Sequence, residues 1–319
     1  MTTGTVIAVD LGGTNIRAAL CNRDGQILRR IKQPTIAQEG PQAVIGRMIE
    51  AIRGVLPDST EPPVWAAAVA SPGPLDPYKG VVNYAPNLPG WSDVPLRDIL
   101  RSELGIPVEI GNDANLAALG EQRYGAARGV ADMAYITLST GIGMGVILNN
   151  QLVLGMRGLA TEMGHVVMDV NATWTHAGVP GSFEGMASGT AIARQAQERL
   201  RHGEKSLMLE MAGGDIAAVT SKEVGEAALQ GDPVAMAIVS QVSRIIGLGF
   251  VSLFHLFDPA MIVVGGSVSL MGDLLFEPIR KTVNQYVMPP YRGRPVLPAA
   301  LGDDCGLLGA AALAFDIKA

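Results

Sequence analysis

Apolar positions along the chain follow two periods, one of two residues and one near 3.6, and segments of the two kinds alternate from the N-terminus onward. The run Thr5-Val6-Ile7-Ala8-Val9-Asp10 is apolar throughout and ends in a carboxylate, the pattern of a buried strand. Gly12-Gly13-Thr14 turns it into a second strand expected over 15–21, and Asn22-Arg23-Asp24-Gly25 turns that into a third over 26–33. Pro41 then opens a helix in which Ile45, Met48, Ile49, Ile52 and Leu56 recur at helical spacing. Further strands are expected at 64–70, 107–110, 133–138 and 260–264, and helices at 95–104, 115–124, 186–202, 221–230 and 306–315. Thr220-Ser221-Lys222-Glu223 has the capping-box pattern, and Asp232-Pro233 starts a long helix reaching Phe257. Its apolar stretch 245–257 is cut by His255 and Asp258-Pro259, short of the roughly 18 residues of a membrane span, so a buried core helix is expected.

A strand, glycine-rich turn and strand recur over 138–148. Two such pairs, each followed by alternating helices and strands, predict two related α/β domains with a cleft between them. The boundary is expected near residue 111: a small N-terminal domain, 1–111, joined by the closing helix 305–319, and a larger one, 112–304.

Composition narrows the class. A 48% hydrophobic content over 319 residues is ample for two packed cores. With 24 Lys+Arg against 30 Asp+Glu the net charge is −6, which argues against a nucleic-acid partner, and Arg29, Arg30 and Lys32 read as a solvated strand edge. Two cysteines, Cys21 and Cys305, make no disulfide framework and fit a reducing compartment. The N-terminus lacks a signal-type basic and apolar start, so a cytoplasmic protein without a membrane partner is expected.

Four segments carry chemistry. In Asp10-Leu11-Gly12-Gly13-Thr14-Asn15-Ile16-Arg17, paired glycines let backbone N–H groups approach phosphate oxygens, Thr14 adds a hydroxyl, and Asp10 can hold a water of Mg²⁺. An ordinary hairpin turn explains the same residues, and no Walker A lysine follows. Leu138 to Gly145 places Thr140 and Gly141 in a second glycine turn, followed by a strand rather than the helix of a dinucleotide fingerprint. Gly111-Asn112-Asp113-Ala114-Asn115 puts a carboxylate at a strand end before a helix, a catalytic position or an N-cap. Glu162-Met163-Gly164-His165, with Glu184 and Ser188-Gly189-Thr190 behind it, can gather polar groups on one side, or be a loop histidine beside a surface glutamate.

In this order and spacing the motifs resemble the ROK family of repressors and sugar kinases, within the actin, sugar-kinase and chaperone ATPase superfamily. Ala85-Pro86-Asn87-Leu88 and Val264-Gly265-Gly266 add to the match, which runs from Asp10 to the closing helix. The resemblance implies a two-domain actin-like ATPase (ribonuclease H-like) fold. It also implies ATP- and Mg²⁺-dependent phosphorylation of a hexose at C6, glucose first, with N-acetylmannosamine, fructose, mannose and allose behind it. A homodimer is implied as well. By the same resemblance Asp113 is the catalytic base, while Gly73, Asn87, Asn112, Glu162, His165 and Glu184 bind the sugar. Asp10, Gly12, Gly13, Thr14, Thr140 and Gly141 then surround the phosphates and Mg²⁺, and Gly265 and Gly266 lie against the adenosine.

Two departures stand out. Many family members hold zinc with the E-x-G-H histidine and three following cysteines, but 166–183 contains no cysteine, so no structural zinc is expected. A substitute set of His165, Asp169 and His176 is the weaker alternative to loop ordering by Pro180, Trp174 and Phe183. Ser139 and Met144 replace glycines, which leaves polyphosphate open as a donor. A repressor of the family needs a DNA-binding segment ahead of the first glycine turn, and none is expected before Asp10; a non-catalytic sugar-binding regulator is the remaining alternative.

Overall fold

A computed structural model describes residues 4–58, 62–172, 175–176 and 178–317. In chain order the N-terminal part forms β1 (Thr5–Leu11), β2 (Asn15–Cys21), β3 (Ile27–Pro34), α1 (Pro41–Val55) and β4 (Val64–Ser71). Three short strands follow, β5 (Leu75–Asp76), β6 (Val81–Tyr84) and β7 (Ser92–Val94), then α2 (Leu96–Leu104), β8 (Val108–Asn112) and α3 (Asp113–Tyr124). Next come β9 (Met133–Leu138), β10 (Ile142–Leu148), β11 (Gln151–Leu152), β12 (Thr175–His176) and β13 (Val179–Pro180). The helices α4 (Phe183–Ala187), α5 (Gly189–Arg201), α6 (Leu207–Met211), α7 (Ser221–Leu229) and α8 (Pro233–Phe257) lead to β14 (Met261–Gly265). Last are α9 (Asp273–Tyr286), β15 (Val296–Pro298) and α10 (Cys305–Asp316).

Two five-stranded sheets share one strand order: β3-β2-β1-β4-β8 and β11-β10-β9-β14-β15. In each, the first strand of the set lies in the centre, which is why Thr5–Leu11 and Met133–Leu138 are apolar runs with buried side chains. The central β1 runs antiparallel to β2 and parallel to β4, which is parallel to β8. In the second sheet β14 is parallel to both β9 and β15. Register aligns Asp10 with Ala70 and Ser71 with Asn112, so the carboxyl ends of β1, β4 and β8 share one edge, where open α/β sheets bind ligands. β3, with Arg29, Arg30 and Lys32, is the sheet's outer strand, as the charge pattern indicates.

The helix ends follow local rules. Thr220 and Glu223 form the reciprocal capping box, and Asp232 caps α8 by accepting from Ala235 N–H at 2.9 Å. α8 is long and apolar enough to cross a bilayer, yet Ile238, Val242, Ile246, Phe250, Leu253 and Phe254 are buried inside the protein.

The chain forms two compact units. The first runs to residue 131 and takes in 145–161 and the chain from 300 on; the second comprises 132–144 and 162–299. The sequence puts a boundary at 111, whereas here α3 groups with the N-terminal sheet because it meets α10 backbone to backbone. A Cβ on Gly309 would stand 1.7 Å from the Leu116 carbonyl oxygen, and one on Gly120 2.6 Å from that of Cys305.

Candidate active site

In the first unit the turn after β1 closes through Gly12 N–H to the Asn15 carbonyl at 2.9 Å. Buried Thr35 clamps it from behind: its hydroxyl donates to the Gly12 carbonyl at 2.6 Å and its N–H to that of Thr14 at 2.8 Å. No motif points to Thr35, since its partners lie 23 and 21 residues away across the sheet. Gly13 must be glycine because Asn87 packs on it; a Cβ would come within 2.9 Å of the Asn87 Cβ. Buried Ala85, Leu88 and Trp91 anchor the loop that leaves Asn87 exposed. An amide expected at a sugar thus lies beside a turn expected at phosphates.

Asp10 is not solitary. Arg17, its neighbour across β2, donates Nε to Oδ2 at 2.9 Å, and Arg17 Nη1 also lies 3.9 Å from Asp304. The other oxygen, Oδ1, faces Gly306 at the start of α10, 3.4 Å from where a Cβ would stand. A hydrated Mg²⁺ fits this donor set, because Arg17 engages only one of the two carboxylate oxygens.

At the carboxyl ends of β4 and β8, Gly73 lies against Asn112, whose Nδ2 would be 3.1 Å from a Cβ there. Asn112 caps α3, its Oδ1 accepting from Ala114 N–H at 3.0 Å and Asn115 N–H at 3.3 Å. The carbonyl end of this amide is therefore committed, and Nδ2 is the end that can donate to a ligand. Asp113 opens α3 and is exposed, with Oδ1 accepting from Ala114 N–H at 2.8 Å.

In the second unit the turn 139–141 is buttressed by the start of α5. Gly189 N–H donates to the Ser139 carbonyl at 2.7 Å, and the Thr190 hydroxyl to that of Thr140 at 2.9 Å. Ser188-Gly189-Thr190 thus shapes the turn holding Thr140 and Gly141. Gly265 and Gly266 pack on β9, where Cβ atoms would fall 2.4 Å from the Tyr135 hydroxyl and 2.3 Å from the Leu138 carbonyl oxygen. Beside them, the Ser267 and Ser139 hydroxyls lie 3.3 Å apart. Of the turn's alternating glycines, Gly145 serves packing of another kind, since a Cβ would stand 2.7 Å from the Ala114 carbonyl oxygen in the first unit. Met144 is buried within β10.

Glu162, His165 and Glu184 come together. A short 3₁₀ turn over Met163–His165 sets His165 Nε2 4.0 Å from Glu162 Oε2, both side chains about half exposed. Gly164 allows this because β10 passes close, with the Ile142 carbonyl oxygen 2.6 Å from a would-be Cβ. Glu184, near the start of α4, accepts the Ile142 N–H through Oε2 and lies against Gly141, so it links the expected sugar residues to the glycine turn. Burial pushes the Glu162 carboxyl above its ordinary value and the Glu184 charge adds to this, while His165 opposes it. The folded protein then holds that proton more tightly than the unfolded chain, so stability is lost as pH rises from the ordinary carboxyl range through the raised value. Glu162→Gln is expected to raise the melting temperature at about pH 7.5 and leave it unchanged near pH 4. Calorimetric scans at both values check this; equal shifts at the two would contradict it.

The segment after His165 is ordered by its own backbone. Val167 bridges Ser182, Met168 N–H donates to the Gly181 carbonyl at 2.8 Å, and Phe183 is buried. Trp174 and the side chain of His176 lie outside the described residues. Among the described residues no three His, Cys, Asp or Glu side chains converge as metal ligands.

The profile of the ROK family matches residues 6–317. The glucokinase of Thermotoga maritima is 38% identical over 309 residues, covering 97% of this chain and 96% of that one. A ROK family glucokinase from Streptomyces griseus, solved with glucose and AMPPNP, is 36% identical and superposes with a TM-score of 0.83 over 98% of this chain and all of that one. A ROK hexokinase from Thermus thermophilus is 34% identical with a TM-score of 0.82, covering 98% of each chain.

Proposed function

The chain belongs to the ROK family and has its two-domain actin-like ATPase fold, and from this premise we propose that it transfers the γ-phosphoryl group of ATP to the C6 hydroxyl of a hexose, glucose foremost. The observation that carries this reading is Asp113: an exposed carboxylate at the first turn of α3, directly after an asparagine whose Nδ2 is the end open to a ligand.

A sugar hydroxyl is far too weak an acid to lose its proton to a carboxylate beforehand. Asp113 accepts it late, as the phosphoryl group moves through a loose transition state. Asn112 Nδ2, Asn87 and the backbone at Gly73 orient the sugar, and Glu162, His165 and Glu184 read its ring hydroxyls, carboxylates and imidazole being suited to a polyol. The turns at Gly12-Gly13-Thr14 and Thr140-Gly141 receive the phosphates through backbone N–H and hydroxyl groups, with Gly265 and Gly266 beside the adenosine. Mg²⁺, held by Asp10 through water, supplies charge neutralisation at the phosphates when bound. A cytoplasmic homodimer is part of the same reading.

ADP release measured with a panel of hexoses tests it. Release that depends on sugar and is fastest with glucose is the expected result. Release no faster with any hexose than without one would refute the assignment.

A further inference from the structure

One buried carboxylate lies outside this chemistry. Glu121, two turns along α3 from Asp113, is fully buried. Its Oε2 accepts Ala126 N–H at 2.8 Å and Ala300 N–H at 3.1 Å, and its Oε1 accepts Leu301 N–H at 2.9 Å. Gly125 makes room, since a Cβ there would sit 2.1 Å from Oε2. The next residue, Gln122, donates Nε2 to the Val130 carbonyl at 3.0 Å and to Asn150 Oδ1 at 3.1 Å, and Asn150 N–H donates to the Ala131 carbonyl at 2.9 Å.

The partners have one thing in common. Val130 and Ala131 end the first segment of the first unit, Asn150 lies in its second segment, 145–161, and Ala300 and Leu301 open its third. Two consecutive side chains of α3 therefore tie down the chain ends through which the first unit passes into the second and back. The same helix carries Asn112 and Asp113 at its start, about 12 Å away at 1.5 Å per residue.

We propose that Glu121, supported by Gln122, is a positioning residue for phosphoryl transfer: it fixes the helix bearing Asp113 to the segments leading to Glu162, His165 and Glu184. The proposal rests on Asp113 as acceptor of the sugar proton. A hydroxyl gripped by residues of both units meets that carboxylate only if α3 keeps a set place relative to those segments, and small misplacement of a reacting group is costly in rate. The glutamate accepts three N–H groups at once. Glutamine cannot, because its amide nitrogen would face one of those donors.

The test measures kcat, the KM for glucose and the melting temperature of E121Q, alone and combined with D113N. Expected are a kcat at least about tenfold lower, a glucose KM within about threefold of the parent, and an E121Q/D113N turnover no lower than that of D113N alone. A purely structural carboxylate lowers the melting temperature but leaves kcat unchanged in the folded protein, or lowers the D113N rate by its own full factor. Either result overturns the positioning role while leaving Asp113 in place. Ordinary turnover in D113N removes the base assignment and this inference with it. Should E121Q fail to fold, Q122A decides: a kcat at least about threefold lower at unchanged KM supports the proposal, and an unchanged kcat overturns it.

Discussion

Asp113→Asn is expected to lower turnover by at least about a hundredfold while hexose binding stays measurable. General-base assistance accounts for about 10²–10⁴ in rate, or roughly 3–5 kcal/mol at about 1.36 kcal/mol per decade. Asparagine is the informative replacement. Oδ1 of residue 113 accepts the Ala114 N–H at 2.8 Å, and an amide oxygen keeps that bond, so the first turn of α3 is preserved while the base is lost. Steady-state kcat together with calorimetric titration of glucose separates the two effects. Near-parental turnover would exclude Asp113 as the base; loss of sugar binding in a folded variant would make it a binding group first.

Gly309→Val is expected to prevent the first unit from folding. The obstacle is the Leu116 carbonyl, 1.7 Å from the position a Cβ would take, and it belongs to the hydrogen-bonded backbone of a helix buried on nearly every side. Overpacking ordinarily costs about 1–3 kcal/mol because side chains shift. Here α3 and α10 would have to separate, exposing Leu116, Leu307 and Leu308 against a total stability of about 5–15 kcal/mol. Gly46→Ala is the control: it lies in α1 with nothing within 4 Å, so alanine should stabilise by about 1 kcal/mol. Soluble yield and circular dichroism compare the two. A Gly309→Val protein that folds with parental stability would mean the helices cross less closely than described.

Much of the architecture is local and therefore legible. β2 occupies the residues its alternation marks, β9 is bounded as its apolar run indicates, and the Thr220–Glu223 box starts α7. α9 is the contrary case: Pro278 sits inside the helix and breaks the pattern that elsewhere identifies one. The candidate chemistry was legible for the same local reason, since paired glycines, a strand-end Asn-Asp and a Glu-x-Gly-His turn state their backbone needs within a few residues.

What the glycines and acids do was another matter. Gly12 and Gly13 shape a turn, but Gly145 makes room for α3 and Gly309 for the Leu116 carbonyl, and all four look alike in the sequence. Asp10 takes Arg17 as a partner across a strand pair, and Glu121 accepts N–H groups at Ala300 and Leu301, about 180 residues on. By itself the amino-acid order determined the strands, the helix starts, and the residue types available for binding a sugar and a phosphate. Tertiary structure alone decided which atoms are committed and which remain open to a ligand. The physical reason is range: backbone preference and periodicity act over a few residues, whereas hydrogen bonds and close packing join segments whose separation along the chain leaves no trace in either.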